Sequence, residues 1–586
     1  MRALGAVLAA LALTVPAVAL AGTGHGRSKP LPARLQPPPQ RLAKADATRI
    51  FLADRKVASW LRRYPQSHRT VETTFKDGVW TVKVWRGAAG EIATGTVDDR
   101  SGAVLEAWTG PQVAWKMARG GKGAFGGNEI NNPSLWLAFC ALFLLGLADL
   151  RRPLSLRNLD LLVLLSFSIS LWYFNRGDIF TSVPLAYPPL VYLLARMVWS
   201  GARGRFSTAS VPVWPVWLLA AATVFTAGFR IGLNVSSSNV IDVGYSGVVG
   251  ADRIAHGRVP YGNFPIEDAL KACGPAAADG EIRERVQANG RCESANPQGD
   301  TYGPVAYEAY VPGYLLLGWS GKWDDLPAAH FSSIVFDLLC LLGLALVGLR
   351  FGGLRLAATL AFAWVAYPFT QYVSSSNTND ALPPLFLIWG FWLVTSPAAR
   401  GAAVALSGWT KFATLLVAPL WASYPDSQKQ PRAKLAFVGA FAAATLAGFS
   451  ILLLDGHPLH AVDVFWDRTL GWQVGRDSPF SIWDWRQYHA GLPDLHIVQT
   501  VLEGLLVAGA IGSYFLPRRK SPLQLAAFTA ALLLGFQLVL THWFYLYLPW
   551  FFPFAALALL APMRAPAPVP APQPLERRRQ ELVGVE

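Results

Sequence analysis

Charged residues are scarce in this chain: Asp, Glu, Lys and Arg supply 15% of its 586 residues, against about 25% in soluble domains. Hydrophobic residues supply 53%. With 23 Trp and 32 Phe, which suit membrane surfaces and lipid-facing helices, this composition indicates a polytopic α-helical membrane protein. The net charge of +14 comes largely from basic residues grouped in short segments between apolar runs. Membrane topology explains that grouping, so the sequence predicts no nucleic-acid partner.

Cysteine is also scarce, with four residues in the chain. Cys140 and Cys340 lie inside apolar runs and are expected to be small buried hydrophobic side chains. Cys273 and Cys292 share one polar segment, and we expect them to form a disulfide if that segment lies outside the cell. Neither pair has the CxxC spacing of a zinc site.

Common catalytic and nucleotide-binding motifs are missing. The sequence contains no Walker loop, no GxGxxG at a strand end, and no HExxH or GxSxG motif, so ATP-driven transport and nucleotide-sugar binding have no support. His457 and His460, with Asp455 and Asp463 nearby, have helical spacing but no further ligand, and no metal site is predicted there. We expect no resident cofactor; the sequence leaves the need for a divalent metal open.

The N-terminus has the pattern of an exported segment. "MRALGAVLAALALTVPAVALAG" combines Arg2, an apolar core and small residues before Gly22, which predicts a signal peptide at residues 1–21. A Pro-rich linker is predicted at 22–40 and a Gly-rich linker at 111–130.

A polar unit is predicted between these linkers, at residues 41–110. Its first part has helical apolar spacing, and alternating runs follow around Lys76-Asp77-Gly78, with a second turn at Arg100-Ser101-Gly102. This helix followed by strands, with "VDDRSGAVLEAW", resembles the PepSY class of small exported modules. The resemblance implies a binding or regulatory module of α+β fold.

Apolar runs predict a transmembrane domain at 131–562, followed by a disordered cytoplasmic tail at 563–586. The predicted spans are 133–150, 160–175, 180–199, 211–233, 330–349, 356–373, 384–397, 435–454, 498–516, 523–541 and 544–561. The positive-inside rule puts the basic segments between them in the cytoplasm, and the polar module outside a bacterial plasma membrane. Arg400 and Lys429 then share one side, so the apolar stretch 401–422, which carries Lys411, is predicted to be a re-entrant hairpin.

The largest predicted outer loops are 234–329 and 455–497. In the first, "VIDVGYSGVVGADRIAHGRVPYGNFP" predicts a helix on the membrane surface that ends near Gly257. Asp242 at its start is either a solvated loop carboxylate or a base that acts on a substrate at the membrane surface. In the stretch 301–319, which is predicted to be interfacial, Tyr302 and its neighbouring tyrosines form an aromatic belt or line a sugar site.

Four further segments carry polar residues that suit a sugar phosphate. Asn377, Asn379 and Asp380 can bond sugar hydroxyls, although Asp380 also suits a helix cap. A cation inside an apolar run costs at least about 2.5–3.5 kcal/mol, so Lys411 needs a partner, either a bound phosphate or Asp337.

Arg468 and Arg476 either clamp a phosphate or pair with nearby Asp residues. His542 is either a phosphate ligand or a residue at the membrane boundary.

The segments "DVGYSGVVGADRIAHGRVPYG", "YGPVAYEAYVPGYL", "SNTNDALPPLFL", "GWTKFATLLVAPLW", "RDSPFSIW" and "HWFYLYLPWFFP" occur in an order that resembles the GT-C glycosyltransferases. The likeness covers roughly 210–561 and is greatest to bacterial polyprenyl-phosphosugar-dependent mannosyl- and arabinofuranosyltransferases. It implies a GT-C-like domain of about 11 spans plus the re-entrant hairpin. Asp242 stands in the family's acidic position and is the expected general base.

The resemblance also implies the reaction and its partners. A mannose or pentose-like sugar would pass, with inversion, from a polyprenyl-phosphate donor in the membrane lipid to a glycan, lipid or protein acceptor. The residues expected to bind substrate are Tyr245, Asp252, Arg253, Tyr261, Tyr302, Asn379, Asp380, Lys411, Arg468, Arg476 and His542.

Two other functions stay open from the sequence. A transporter or flippase of a lipid-linked or anionic solute would use Lys411 and Asp337 as pathway charges. A non-catalytic envelope receptor would use the polar module as its binding part. Large aromatic outer loops favour the transferase over a transporter, since transporters concentrate polar residues at the membrane midplane.

Overall fold

The computed structural model describes residues 40–62, 64, 66–86, 91–109, 125–176, 178–203, 214–262, 271–276, 282–286, 292–294, 299–321, 325–426, 431–471, 473, 478–487 and 492–561. The predicted signal peptide, almost all of the Pro-rich linker and the C-terminal tail lie outside these ranges.

The polar module has the predicted order of helix and strands. Its elements are α1 (Lys44–Ala53), α2 (Arg55–Leu61), β1 (Thr70–Lys76), β2 (Val79–Trp85), β3 (Glu91–Asp98) and β4 (Val104–Thr109). The strands form one antiparallel sheet in the order β1-β2-β3-β4. Asp77 and Gly78 have φ values of 52° and 82°, as a two-residue hairpin turn requires, so this predicted turn is confirmed. Phe51 and Val57 of the helices pack on Val82 and Ile92 of the sheet.

The remainder of the described chain is mainly helical and forms one large core, with a smaller core around Tyr261, Tyr307 and Phe465. Its helices are α3 (Pro133–Leu147), α4 (Leu156–Phe174), α5 (Ile179–Arg203), α6 (Val216–Ser237), α7 (Asp242–Ala255), α8 (Pro304–Glu308), α9 (Val311–Leu317), α10 (Pro327–Ala366), α11 (Pro368–Ser375), α12 (Leu382–Trp392), α13 (Pro397–Gly408), α14 (Ala418–Ala422), α15 (Pro431–Phe449), α16 (Pro458–Trp466), α17 (His496–Phe515), α18 (Pro522–Val539) and α19 (Leu548–Leu560). We call this part the helical domain.

Among the described residues, six helical segments are long and apolar enough to cross a membrane. They are Leu156–Phe174, Val216–Ser237, Pro327–Ala366, Pro431–Leu454, His496–Phe515 and Pro522–Val539. Shorter apolar helices occupy Pro133–Leu147, Phe412–Ala422 and Tyr545–Leu560. The helical membrane character expected from composition is therefore supported, whereas the count of 11 spans stays a prediction.

The longest of these segments is two helices that fold back on each other. Gly353 has a φ of 68° and interrupts the helical backbone. A side chain at Gly348 would meet the backbone of Ala357 at 2.4 Å. Residues nine apart in a continuous helix are about 13.5 Å apart, so the chain reverses between them, in agreement with two separate predicted segments.

The stretch predicted as a re-entrant hairpin contains a break in its helical backbone, and its re-entrant character stays a prediction. Helix α13 ends at Gly408, and Lys411 has extended backbone angles of φ −139° and ψ 116°. A 3-10 helix (Phe412–Val417) and α14 follow. The break allows the Lys411 side chain to leave the apolar run and enter a cavity.

The polar segments carry short elements. Helix α7 ends at Ala255 and Gly257 has a φ of 67°, which confirms the predicted helix and its end. Residues 304–317 form the two short helices α8 and α9, each far shorter than the roughly 20 residues that a membrane-spanning helix needs. Strands β5 (Ala272–Ala276), β6 (Ile282–Val286) and β7 (Cys292–Ser294) form a small antiparallel sheet with β6 in the centre.

Candidate functional site

A cavity of about 1520 Å³ lies between the module and the helical domain. Five residues predicted from sequence line it: Asp242, Tyr302, Asp380, Lys411 and His542. They come from five separate stretches of the chain. The fold therefore brings together residues that the sequence only listed in order.

Asp242 is held at the cavity by contacts between the start of α7 and the end of α11. The backbone amides of Asn239 and Ile241 donate to the carbonyls of Ser375 and Ser376, at 3.2 Å and 3.3 Å. Gly244 permits this approach, because a side chain there would lie 2.2 Å from the carbonyl oxygen of Asn377. These contacts fix the first turn of α7, and with it the Asp242 carboxylate.

Asn377 connects the two loops that carry the acidic residues. It adopts the left-handed region, with a φ of 52°. Its Nδ2 donates to Ser238 Oγ at 2.9 Å, and its Oδ1 accepts from Asn234 Nδ2 at 2.8 Å. We expected the Asn377 amide to bind sugar hydroxyls, but both of its ends are hydrogen-bonded to other protein side chains.

Lys411 and Asp380 form the centre of the site. Lys411 Nζ lies 3.3 Å from Asp380 Oδ1. The ammonium group also lies 4.4 Å from the ring centre of Tyr302, 5.8 Å from that of Tyr547 and 5.9 Å from that of Trp550. Aromatic faces attract a cation, so the cation is held without being enclosed by carboxylates.

The Asp380 carboxylate is buried but incompletely bonded. The residue is 1% exposed, and neither of its carboxylate oxygens has a hydrogen bond of good geometry within the described residues. Its nearest polar partners are Lys411, Thr378 and the indole N–H of Trp550, all with weak geometry. Because buried polar groups normally find partners, these atoms have the character of ligand-binding groups.

Tyr302 lies near both carboxylates. Burial raises the pKa of its phenol well above the ordinary value, and Asp242 and Asp380 raise that pKa further. Tyr302 therefore keeps its hydroxyl proton at neutral pH and can donate it to a ligand oxygen. Asp242 and Asp380, which are 138 residues apart in the chain, therefore act on the same phenol.

His542 contributes from the loop before the last apolar helix. Its Nδ1 lies 2.8 Å from Ser478 Oγ, and its ring centre lies 5.5 Å from that of Phe480. These contacts orient an imidazole that lines the cavity.

One wall of the cavity follows two apolar helices. His496, Gln499, Glu503 and Val507 of α17 line it, and so do apolar side chains of α18. From His496 to Val507 is a rise of about 16 Å along a helix. The cavity therefore extends from the polar loops to the level of apolar helical segments. The apolar side chains on this wall are Leu416, Leu506, Val507, Phe536, Val539 and Leu540.

Several predicted residues do not line the cavity. Tyr245 is fully buried against Trp319, with ring centres 5.8 Å apart. Tyr261 packs against Tyr307 and Phe465. Arg253 and Asn379 are likewise absent from the lining, and Asn379 is 1% exposed.

Two charged residues of the predicted set are engaged by protein groups. Asp252 accepts a hydrogen bond from the Tyr314 hydroxyl at 2.6 Å, and this bond raises the pKa of Tyr314 to about 12. Arg468 makes two bonds to the buried Asp300, at 2.7 Å and 2.8 Å. Of the two interpretations of Arg468, pairing with an acid is the one observed.

The structure corrects the expectation that Asp337 could be the partner of Lys411. Asp337 pairs with Arg230, whose Nη2 lies 2.5 Å from Asp337 Oδ1. Trp364 Nε1 also donates to Asp337, at 2.8 Å. Lys411 pairs with Asp380 instead, because Asp337 is enclosed between α6 and α10.

Some predictions fall outside the described parts. Arg476 lies in the undescribed stretch 474–477. The backbones of Cys273 and Cys292 belong to one small sheet, but their side chains lie outside the description, so the disulfide stays a prediction. Cys140 and Cys340 are free thiols. Within the described residues, no three His, Cys, Asp or Glu residues are grouped to hold a metal ion.

Sequence analysis missed several residues of the cavity. Glu503 could have been found, because a carboxylate inside an apolar helical run is rare and usually faces a cavity. Arg55 and Lys56 of the module could not, since nothing local indicates that α2 faces the helical domain.

Comparison with known proteins adds no relative from which a function could be transferred. No family model, no curated protein and no solved structure matches the chain.

Proposed function

We propose that this protein is an inverting membrane glycosyltransferase of the GT-C type, which uses a polyprenyl-phosphate sugar as its donor. One observation carries the proposal. Asp242, Asp380 and Lys411 line a single cavity whose wall continues for about 16 Å along an apolar helix. Such a cavity can hold a charged headgroup and a hydrocarbon tail together.

In the proposed reaction, the acceptor hydroxyl oxygen attacks the anomeric carbon of the donor sugar. The bond between that carbon and the phosphate oxygen breaks, and polyprenyl phosphate leaves. Asp242 takes the hydroxyl proton, and a single carboxylate is enough because the leaving group is already a phosphate. Inversion follows from a single displacement.

The other cavity residues suit the remaining parts of this reaction. Lys411, held by aromatic rings and one carboxylate, can stabilise the negative charge of the departing phosphate. The incompletely bonded Asp380 and the Tyr302 hydroxyl can bond sugar hydroxyls. His542 can donate to phosphate from the same cavity.

The test uses purified protein in lipid nanodiscs with radiolabelled polyprenyl-phosphate mannose and polyprenyl-phosphate arabinofuranose. Solubilised envelope glycans serve as acceptors. Asp242→Asn should lower transfer by about 10²–10⁴-fold, or ~3–5 kcal/mol in the barrier, while donor binding stays unchanged. Asp463→Asn is the matched control, because Asp463 is exposed on α16 and does not line the cavity.

Two results would contradict the proposal in different ways. Full transfer by Asp242→Asn together with none by Asp380→Asn would move the base to Asp380. No transfer by the wild type, together with movement of a fluorescent lipid-linked sugar across vesicles, would favour a flippase.

A further inference from the structure

The module forms part of the wall of the same cavity. Asp54, Arg55, Lys56 and Ser59 of the α1–α2 region line it, as do Val104 and Ala107 of β4. These residues share one space with Asp242 and Lys411. The module is thus placed where it can contact a molecule in the cavity.

An aromatic contact anchors the module in this position. Trp108 on β4 is 1% exposed, and its ring centre lies 5.9 Å from that of Phe180. Phe180 in turn lies 5.2 Å from Trp485, in the loop that carries other cavity residues. Trp108 belongs to the core of the helical domain, whereas the other buried hydrophobic residues of the module form a core of their own.

The module is basic, and it contributes two basic residues and one acidic residue to the cavity lining: Arg55, Lys56 and Asp54. Residues 41–110 contain twelve Lys and Arg against eight Asp and Glu. Ser59 lies next to both Arg55 and Lys56 on the surface of α2, since residues three and four apart are neighbours on a helix. Arg55 is exposed, and within the described chain its guanidinium has no ion pair or hydrogen bond.

Three acidic residues of the cavity lining, Asp54, Asp484 and Asp494, accept hydrogen bonds from other protein groups. Asp54 accepts from the backbone amides of Lys56 and Val57, at 3.0 Å and 3.2 Å. Asp484 accepts from the Ser478 amide at 2.8 Å. Asp494 accepts from Arg486 at 2.9 Å. Within the described residues, Arg55 forms no ion pair with any of these carboxylates, and it lines the cavity.

We propose that Arg55, supported by Lys56 and Ser59, forms a subsite for an anionic group that enters the cavity beside the module. A carboxylate or phosphate fits it, since a guanidinium binds either through two parallel hydrogen bonds. Such a group can come from an acidic saccharide or from an anionic lipid headgroup. On the proposed transferase function, this subsite would select an acidic acceptor.

The experiment measures binding without donor, so its result is independent of whether transfer occurs. Full-length protein in phosphatidylcholine nanodiscs is titrated with trigalacturonate and with neutral maltotriose, and thermophoresis gives both dissociation constants. A charge-assisted contact should make the acidic trisaccharide bind about tenfold more tightly. Nanodiscs with half phosphatidylglycerol form the second arm.

Arg55→Gln should abolish the preference for the acidic trisaccharide, and Arg55→Lys should keep part of it. Arg100→Gln is the matched control, an exposed arginine of the same module outside the cavity lining. If phosphatidylglycerol removes the preference of the wild type, the lipid headgroup competes for the subsite, which supports the shared chemistry. Equal affinities in wild type with both lipids, or a preference that survives in Arg55→Gln, would overturn the proposal.

Discussion

Asp337 and Asp380 are two of the buried Asp residues that pair with a basic residue in the described helical domain, and they differ in how completely they are bonded. Asp337 binds Arg230 through both oxygens and also accepts from Trp364. Arg230 further donates to the Val365 carbonyl and the Thr370 hydroxyl. The second pair, Asp380 with Lys411, has one contact at 3.3 Å and faces the cavity.

The difference separates a pair that holds helices together from one that is free to bind a ligand. A buried charge is tolerated only when its hydrogen-bonding capacity is filled. Around Asp337 the protein fills it. Around Asp380 the contacts with Lys411, Thr378 and Trp550 have weaker geometry, although Asp380 is 1% exposed against 7% for Asp337, and a ligand oxygen or hydroxyl can add to them.

The largest expected effect comes from the same substitution in both pairs. Asp337→Asn leaves Arg230 buried without its counter-charge and should lower the free energy of unfolding by about 3–5 kcal/mol. Asp380→Asn should lower it by less than about 1 kcal/mol, because Lys411 borders the cavity and keeps its aromatic contacts. Thermal unfolding of both variants in the same detergent measures the two losses of stability. Equal losses would show that the two pairs do not differ in their structural role.

The next largest effect concerns Lys411, the basic residue of the pair that faces the cavity. Lys411→Gln should lower transfer by about 10²–10³-fold, as expected when one charge that stabilises the leaving group is lost. Donor binding should weaken as well, because phosphate is present before and during the reaction. Single-turnover assays and donor titration measure the two quantities, with Lys411→Arg as the charge-retaining control. Unchanged donor affinity in the Gln variant would remove Lys411 from the phosphate site.

The smallest effect is a change of stability with pH that Glu308 causes. Glu308 lies on the short helix α8, and its carboxyl group has no basic partner within the described residues. Burial raises the pKa of Glu308 from 4.5 to about 7. The folded state therefore holds this proton more tightly than the unfolded state, so stability falls as pH rises between these two values.

Glu308→Gln should abolish this loss. Relative to the wild type, the variant should gain about 1–2 kcal/mol at pH 8 and nothing at pH 4. Thermal midpoints across this pH range give the answer. A constant difference between the variant and the wild type would show that burial of Glu308 does not control its ionisation.

Local patterns predicted the local structure well. The turn at Asp77 and Gly78, the strands of the module and the helix that starts at Asp242 all follow from spacing and turn residues. Apolar length located most helical segments, including the two that fold back on each other around Gly353, but it did not locate the break before Lys411. That break depends on how neighbouring helices pack.

The candidate site was predicted in part. Asp242, Tyr302, Asp380, Lys411 and His542 were named from residue type and position, and all line one cavity. Arg468 was named for the same reasons, yet it binds Asp300, which is 168 residues away. The sequence shows that a charge needs a partner, but it does not show which partner the fold supplies.

By itself, the sequence determined the helical membrane character, the separate α+β module and the list of polar residues that apolar segments could not absorb. These follow from composition and periodicity, which act over a few residues. Tertiary structure alone decided that Arg230 pairs with Asp337, 107 residues away, and that Lys411 pairs with Asp380. It also decided that Arg55 lines the cavity. The physical reason is that a buried charge is stabilised by the groups packed around it, and packing joins segments that are distant in the chain.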